Sequence, residues 1–309
     1  LAIDFTKPEG ADLLRALAAD SQVLVENFKV GGLAQYGLDY ASLRALNPRL
    51  VYCSITGYGQ TGPYAQRAGY DAAIQAQGGL MSITGEPDGA PGGGPQKVGV
   101  AVADLMTGMY ATTGILAALR HAEATGVGQH IDLALLDTQV GWLANQAMNY
   151  LVGGAVPQRR GNAHPNICPY DSFATGSVPV FLAVGNNRQF ATLSAMIGRP
   201  DLPEDPRFAS NSQRNIHRDA LKVEIEAALA AFDGADLADR LIKAGVPCGA
   251  VRTLDQVVAD PHTIHREMVV DIGDYRGTGS PIKLSRTPAS YRLAPPRFAE
   301  HTAEVLAER

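Results

Sequence analysis

A chain of 309 residues with a hydrophobic share of 46% can bury a substantial core, either as one large domain or as two unequal ones. Its formal net charge of −5 at pH 7 offers no basic surface to nucleic acid, and no run of about 18 uninterrupted apolar residues predicts a membrane span. The first ten residues lack the charged and apolar regions of a signal peptide and do not begin with Met, so we expect that upstream sequence is missing.

The first third of the chain alternates segments typical of strands and of helices. A strand is predicted at residues 2–5, and Pro8 then opens a helix over 11–19, because proline is favoured in the first turn. Strands separated by helices of this length predict parallel βαβ units and an α/β fold. The further elements predicted here are strands at 23–25 and 50–55 and a helix at 40–46.

The middle of the chain carries few charges. Gly and Pro residues make 87–99 the clearest flexible loop. The Ala-, Gly- and Leu-rich stretch 105–119 predicts a helix that is buried on most sides. A strand at 130–136 and another apolar helix at 137–151 are expected to follow.

Prolines and asparagines interrupt the periodicity at 161–170, as a connection between domains does. We therefore predict a large domain over residues 1–172 and a small α/β domain over 173–262. The final stretch, 263–309, is rich in Pro and Arg and is expected to return to the large domain. The elements predicted in the small domain are a strand at 178–184 and helices at 187–197, 221–232 and 237–244.

The three cysteines, Cys53, Cys168 and Cys248, stand far apart and form no CxxC pair. Their odd number argues against a disulfide framework and favours a reducing, cytoplasmic location. We expect each thiol to be a small buried apolar group and not a nucleophile.

Residues 57–62, Gly-Tyr-Gly-Gln-Thr-Gly, match the G-x-G-x-x-G pattern of dinucleotide-binding proteins. That motif requires a helix to open at the glycines, so that the helix N-terminus meets the pyrophosphate. Pro63 and Tyr64 follow here without a helical pattern, and the acidic residues in range, Asp71 and Glu86, close no visible strand. We predict a tight turn beside another ligand.

His262 and His265 are three residues apart and could share one face of a helix. A zinc site needs a third ligand, and no carboxylate or cysteine stands at a matching interval. The pair is therefore interpreted as part of a solvated helix end. The sequence also lacks the G-x-S-x-G elbow of serine hydrolases.

Asp104 stands directly before the long apolar helix and just after the Gly-rich loop. One interpretation is an N-cap, because aspartate accepts hydrogen bonds from the free amides of a first helical turn. The other is a nucleophile, because a helix N-terminus keeps a carboxylate ionised and can donate amides to a developing oxyanion. The residues around Asp104 leave both interpretations open.

Several stretches in chain order resemble the family III CoA-transferases, also called the CaiB/BaiF family, which includes formyl-CoA and succinyl-CoA transferases. The resemblance runs from Leu1 to the end. It implies a Rossmann-like large domain, a small α/β domain and a homodimer of two interlocked chains. The matching stretches are Val-Glu-Asn-Phe at 25–28, Leu-Asn-Pro-Arg-Leu at 46–50, Gly-Tyr-Gly at 57–59, Gly-Tyr-Asp at 69–71, the Asp104 segment, Thr-Gly-Val-Gly-Gln at 125–129, Asp-Pro-Arg-Phe at 205–208, Gly-Val-Pro-Cys-Gly at 245–249 and Glu-His-Thr at 300–302.

The resemblance implies that Asp104 is the nucleophile of a CoA transfer between an acyl-CoA and a small carboxylic acid. The implied reaction passes through an aspartyl anhydride and an enzyme-bound CoA thioester. Coenzyme A is a substrate, and no metal or tightly bound cofactor is expected. Lys29 and Arg67 suit the phosphates of CoA and Phe28 suits its adenine. The CoA-binding residues that the resemblance implies are Ile3, Asp4, Phe5, Thr6, Asn27, Phe28, Lys29, Arg67, Ala68, Gly69 and Tyr70.

Two positions depart from the family pattern: Val30 replaces a common proline, and Gln35 replaces a common arginine, which leaves one phosphate contact open. The same fold hosts 2-methylacyl-CoA racemases, which use a His and a Glu where this chain has Tyr70 and Asn187. Neither residue moves protons readily near neutral pH, so a racemase is disfavoured. A CoA-binding subunit without catalysis is a further alternative, since the expected upstream segment supplies CoA contacts.

Overall fold

The computed structural model of the protein describes residues 1–308. They form two compact units, one over Ile3–Gly161 and the other holding the rest of the described chain. Each unit combines helices with its own sheet. The predicted α/β class is thereby confirmed.

The first unit is built on a three-stranded parallel sheet with strand order β1-β2-β3. The central strand β2 has its first four residues buried, as expected for a parallel strand with both faces covered. The strands are β1 (Val23–Glu26), β2 (Val51–Thr56) and β3 (His130–Ala134). The helices are α1 (Pro8–Asp20), α2 (Tyr40–Leu46), α3 (Asp71–Gln77), α4 (Leu80–Ile83), α5 (Val102–Thr125), α6 (Leu135–Trp142) and α7 (Ala144–Leu151).

Helix α1 starts at the predicted proline and buries Ala11 and Ala18. Ala18 packs in one apolar cluster with Leu43 of α2 and Leu50, which directly precedes β2. On the other side of the sheet, Ala118 of α5 packs in a cluster around Val51. The hydrophobic periodicity that predicted these elements therefore corresponds to apolar faces that are buried in the structure.

Two predicted elements differ from the structure. Residues 2–5 form no strand, because the Asp4 carboxylate accepts hydrogen bonds from the Thr6 amide (3.0 Å) and hydroxyl (2.6 Å) and bends the chain there. The predicted helix at 137–151 is two helices, α6 and α7. They separate at Leu143, and Ala144 has a positive φ of 48° that continuous helical backbone does not allow.

Helix α5 is less buried than predicted. It buries only a narrow stripe of mostly small residues, Ala103, Thr107, Ala111, Ala118 and Ala122. On the rest of its surface Leu105 is 60% exposed and Leu116 is 62% exposed. Its length and apolar composition also meet the requirement for a membrane span, a test that core helices of water-soluble proteins pass as well.

The second unit contains an antiparallel sheet of order β4-β5-β6 and a separate β7-β8 hairpin. Its core includes Leu182, Phe190 and Leu237, which contribute from one strand and two helices. The strands are β4 (Tyr170–Phe173), β5 (Val180–Ala183), β6 (Cys248–Ala250), β7 (Val269–Ile272) and β8 (Tyr275–Thr278). The helices are α8 (Asn187–Met196), α9 (Asn211–Ile216), α10 (Arg218–Leu229), α11 (Gly234–Lys243), α12 (Leu254–Val258), α13 (Pro261–His265) and α14 (Thr302–Ala307).

Candidate active site

The carboxyl ends of β1 and β2 lie at one edge of the parallel sheet, with Glu26 paired in register with Ser54. Residues 27–29 follow β1 and the 57–59 turn follows β2. Ligands of open α/β sheets bind outside this edge, where strands end and loops begin. One predicted CoA-binding segment, 27–29, is therefore positioned by β1, next to the turn that follows β2.

An aromatic cluster joins the N-terminal segment to the residues after β1. The ring of Phe5 makes edge contacts with Phe28 and with Tyr36, each at a centroid distance of 5.4 Å. Phe28 remains 45% exposed, so part of its side chain is open to solvent. The structure thus brings the predicted segments 3–6 and 27–29 together.

The third segment, 67–70, is packed against the turn after β2. A Cβ built on Gly69 would lie 2.5 Å from the Cα of Gly57, closer than side chains come to backbone in proteins. Glycine at both positions allows the two backbones to touch. The turn itself is anchored by Asp132 of β3, whose carboxylate accepts the amide hydrogen of Gln60 at 3.1 Å.

Lys29 and Arg67 are cations with no ion-pair partner among residues 1–308. The guanidinium of Arg67 stacks over the ring of Tyr64 at 3.7 Å. That ring is in turn held by an edge contact with Tyr58 at 5.7 Å. The stack fixes the position of Arg67 while its N–H groups stay free to bind an anion.

Asp104 lies in the first turn of α5 and is exposed. It is the third residue of the helix, and Ala101 occupies the N-cap position. The N-cap interpretation of Asp104 is therefore wrong. Partial burial, and then the neighbouring carboxylate of Asp71, raise the pKa of Asp104 above its ordinary value.

A free amide in the first turn of α5 is bound by Asp71. Asp71 opens α3, and its Oδ1 accepts the amide hydrogen of Ala103 at 2.8 Å. Its Oδ2 accepts from Nε2 of the buried Gln75 at 2.6 Å. This role of Asp71 was not predicted; its local signal in the sequence is the spacing of four residues between Asp71 and Gln75 on one helix.

The alternative sites find no support in this geometry. No helix begins at the glycines of 57–62, and the next α-helix starts only at Asp71. His262 and His265 lie in a five-residue helix, and the described residues hold no group of three or more His, Cys, Asp or Glu that could bind a metal ion. The turn predicted at 57–62 is confirmed, with positive φ at Gly59 and Gly62.

The three cysteines are free thiols, as predicted. Cys53 and Cys168 are buried and Cys248 is partly buried. Burial raises the pKa of all three thiols, so little thiolate is present near neutral pH. None of them is placed as a nucleophile.

The two positions that separate this chain from the racemases carry no acid/base pair. Tyr70 is 77% exposed and stands at the start of α3. Asn187 opens α8, and its Oδ1 accepts a hydrogen bond from the buried guanidinium of Arg214 at 3.0 Å. An amide held in this way does not exchange protons.

Known proteins resemble the chain over its whole length. The model of the family described as CoA-transferase family III matches residues 1–302. Succinate--glutarate CoA-transferase of Agrobacterium fabrum is 47% identical, with the match covering 100% of this chain and 77% of that protein. Human succinyl-CoA:glutarate CoA-transferase is 36% identical, with 100% and 70% covered.

A solved structure shows the same likeness in three dimensions. The crystal structure of a CaiB/BaiF family protein from Brucella suis superposes with a TM-score of 0.89 at 48% identity, covering 99% of this chain and 80% of that one. The family model, the similar enzymes and the solved structure all indicate the same family. The chain belongs to CoA-transferase family III, the CaiB/BaiF family, and is a CoA-transferase.

Proposed function

We propose that Asp104 is the covalent nucleophile of the transfer. The observation that carries this is an exposed carboxylate in the first turn of α5, followed by a helix long enough to hold it rigidly. Its raised pKa makes the carboxylate more basic than an ordinary aspartate, which favours attack on a thioester. The resemblance to the family implies the same role for Asp104.

The reaction follows in four acyl transfers. The Asp104 carboxylate attacks the donor thioester carbonyl, the C–S bond breaks, and CoA thiolate leaves a mixed anhydride. The thiolate attacks the aspartyl carbonyl and releases the donor acid, which leaves an aspartyl-CoA thioester. The acceptor carboxylate expels the thiolate to form a second anhydride, and the thiolate then attacks the acceptor carbonyl and frees Asp104. Covalent catalysis of this kind replaces one difficult exchange with easier steps.

We place coenzyme A along the carboxyl edge of the sheet. Lys29 and Arg67 bind its phosphates, since both cations lie there without ion-pair partners in the described chain, and the exposed part of the Phe28 side chain receives the adenine. Thr6 and Asn27 supply polar contacts from the neighbouring segments. No tightly bound cofactor is required, because CoA is itself a substrate.

We infer the substrates from the relatives. Two of the similar enzymes are named for succinate or succinyl-CoA and glutarate. The proposed donor is therefore succinyl-CoA and the proposed acceptor is a short dicarboxylic acid such as glutarate. Sequence identities of 47% and 36% to these two enzymes support a dicarboxylic acid as acceptor more strongly than they support a particular number of carbon atoms in it.

We further propose that the working enzyme is a homodimer. Helix α5 exposes Leu105, Met109 and Leu116 to water, and apolar patches of this kind mark protein interfaces. A second copy of the chain, interlocked with the first as in the family, is the proposed occupant. A large Rossmann-like domain and a small α/β companion are proposed as well; the two compact units of the structure divide after Gly161 and not after residue 172.

A trapping experiment tests the proposal. The protein is incubated with succinyl-CoA without an acceptor and then treated with hydroxylamine, which converts an anhydride or a thioester to a hydroxamate. Trypsin cuts after Lys97 and Arg120, and Asp104 is the only acidic side chain of the resulting 98–120 peptide. We expect the hydroxamate on this peptide in the unmutated protein and no label in Asp104→Asn. An unlabelled 98–120 peptide, or an acyl group found on Cys53, Cys168 or Cys248 before hydroxylamine is added, would contradict the assignment.

A panel of dicarboxylic acids then identifies the acceptor. Malonate, isotope-labelled succinate, glutarate and adipate, together with the monocarboxylic acids butyrate and valerate, are offered with succinyl-CoA, and each CoA ester formed is quantified by mass spectrometry. We expect the highest kcat/KM with the five-carbon acid. Equal rates with monocarboxylic acids would overturn the proposed dicarboxylate specificity.

A further inference from the structure

Three hydrogen bonds link the Gly-rich loop to the turn that carries Asp104. The amide of Val98 donates to Gln75 Oε1 at 2.9 Å. Gln75 Nε2 donates to Asp71 Oδ2 at 2.6 Å, and Asp71 Oδ1 accepts from the Ala103 amide at 2.8 Å. The linkage ends one residue before Asp104.

Gln75 is fully buried, and each end of its amide has a partner. A buried polar group with both functions satisfied holds its neighbours in one arrangement, because every alternative leaves a donor or an acceptor unpaired. Rotation of this amide would place two acceptors together at Asp71 and two donors together at Val98. The direction of the linkage is therefore fixed.

The loop is also tied down before Val98. Gln96 donates its amide hydrogen to Thr84 O at 3.0 Å, and Gly94 donates to Glu86 O at 3.3 Å. Beyond Val98 the chain runs directly into α5, with the Leu105 amide bonded to Ala101 O at 3.0 Å. The bond from Val98 to Gln75 is thus the last side-chain tether of the loop before the first turn of α5.

We propose that Gln75 is a positioning residue for the transfer reaction. Its amide joins the loop to the first turn of α5 through Asp71, and this fixes the place of the Asp104 carboxylate. The inference rests on the proposed role of Asp104 as nucleophile. Gln75 acts through Asp71 and Val98 and does not itself contact the substrate.

The first variant is Gln75→Met, which keeps the length and burial of the side chain and removes both hydrogen bonds. Displacement of a reacting group by about 1 Å can cost on the order of 100-fold in rate, so we expect kcat to fall by about 10- to 100-fold. The KM for succinyl-CoA should stay within about twofold, because the CoA segments 27–29 and 67–70 are untouched.

The matched control is Gln139→Met. Gln139 is equally buried and donates to Ile74 O at 2.8 Å in the same core, but no hydrogen bond joins it to Asp71 or Val98 in the described chain. Its loss should lower the melting temperature by less than Gln75→Met does, because one hydrogen bond is removed and not two, and should leave kcat within about twofold. Equal losses of kcat in both variants would mean that Gln75 has only a general packing role.

Exchanging the acid and the amide between positions 71 and 75 tests whether the hydrogen bonds themselves matter for kcat. In Gln75→Glu the carboxylate cannot donate to Asp71, so two acidic side chains face each other and kcat should fall. In the double variant Asp71→Asn with Gln75→Glu, the new asparagine donates to the new glutamate, which still accepts from Val98, while the asparagine oxygen still accepts from Ala103. We expect the double variant to recover kcat to within about threefold of the unmutated value, since all three bonds are restored.

Hydroxamate labelling separates failure of this inference from failure of the proposed function. An unmutated protein that is not labelled at Asp104 overturns both. If the unmutated protein is labelled, Gln75→Met should label more slowly by the same factor as its kcat. Labelling of folded Gln75→Met at the unmutated rate, or no recovery in a folded double variant, overturns the positioning role alone.

Discussion

The backbones of Gly57 and Gly69 touch: a Cβ on Gly57 would lie 2.6 Å from the Cα of Gly69. The first glycine follows β2 and the second precedes the start of α3. This contact holds the proposed phosphate-binding segment 67–70 against the carboxyl edge of the sheet. Its closeness leaves no room for even a methyl group.

Gly69→Ala should therefore displace this segment. Overpacking of a tight contact costs about 1–3 kcal/mol, and we expect a lower melting temperature and a KM for acyl-CoA raised by several fold. Gly249→Ala is the control, since a Cβ there meets nothing within 4 Å and the backbone needs no positive φ. Equal melting temperatures and KM values for the two variants would contradict the described contact.

Asp104→Asn should abolish transfer and leave the protein at least as stable. Because the folded-state pKa of Asp104 is raised by burial and by Asp71, the ionised carboxylate costs stability as the pH rises through that pKa. The melting temperature of the variant should thus equal that of the unmutated protein at a pH below about 3.5, where aspartate is protonated, and match or exceed it at pH 7. A clear loss of stability at pH 7 would show that the charge of Asp104 supports the fold.

Arg67→Ala should weaken CoA binding with little effect on the chemical step. Loss of one charge-assisted hydrogen bond raises KM for acyl-CoA by about tenfold or more, while kcat stays nearly constant. Arg49→Ala is the matched control: Arg49 is also exposed but precedes β2, at the opposite edge of the sheet. The phosphate assignment fails if both variants change KM alike, as measured by initial rates over a range of succinyl-CoA.

Gln35→Arg should strengthen CoA binding. Gln35 is exposed, its amide donates only to Gly32 O at 3.2 Å, and its neighbour Tyr36 contacts Phe5 in the aromatic cluster. A guanidinium there adds the phosphate contact that the family pattern contains, and KM for acyl-CoA should fall by a few fold. Gln22→Arg, at the amino end of β1, controls for added charge alone. An unchanged KM would place the CoA phosphates away from this turn.

Met109→Glu should weaken the proposed homodimer. Met109 is 58% exposed on the apolar surface of α5, and burying a carboxylate there would be unfavourable. Sedimentation equilibrium should show a larger dissociation constant than for the unmutated protein. Val223→Glu introduces the same charge on the exposed side of α10 and should leave association unchanged. A monomeric unmutated protein would overturn the dimer directly.

Local periodicity was sufficient to predict much of the fold. The helix at Tyr40–Leu46 has the predicted bounds, and the strands at Val23–Glu26 and Val51–Thr56 lie within one residue of the predicted ones. These elements bury continuous apolar faces, which sequence patterns record. Residues 2–5 alternate in the same way, but the side chain of Asp4 turns the chain there. Such a competing local hydrogen bond is invisible to hydrophobic periodicity.

The site was predictable only in part. The position of Asp104 at the start of α5 was readable from the sequence, whereas the side chain that binds the Ala103 amide was not, because Asp71 lies 32 residues before Ala103. The link from Gln75 to Val98 spans 23 residues and depends on tertiary packing. The burial of α5 was overestimated, since low charge predicts only that an apolar face will be covered and does not say by which chain. The cytoplasmic location and the individual CoA contacts stay predictions.

In the proposed homodimer, the exposed apolar side of α5 makes the yield of assembled enzyme depend on the concentration of its chains. A newly folded chain exposes Leu105, Met109 and Leu116 to water until the proposed second copy covers them, so the last step of the proposed assembly is bimolecular. Yield after dilution from denaturant should rise with chain concentration, pass a maximum, and then fall as aggregation competes for the same apolar residues. In a cell, unpaired chains would be the form that chaperones retain and proteases remove.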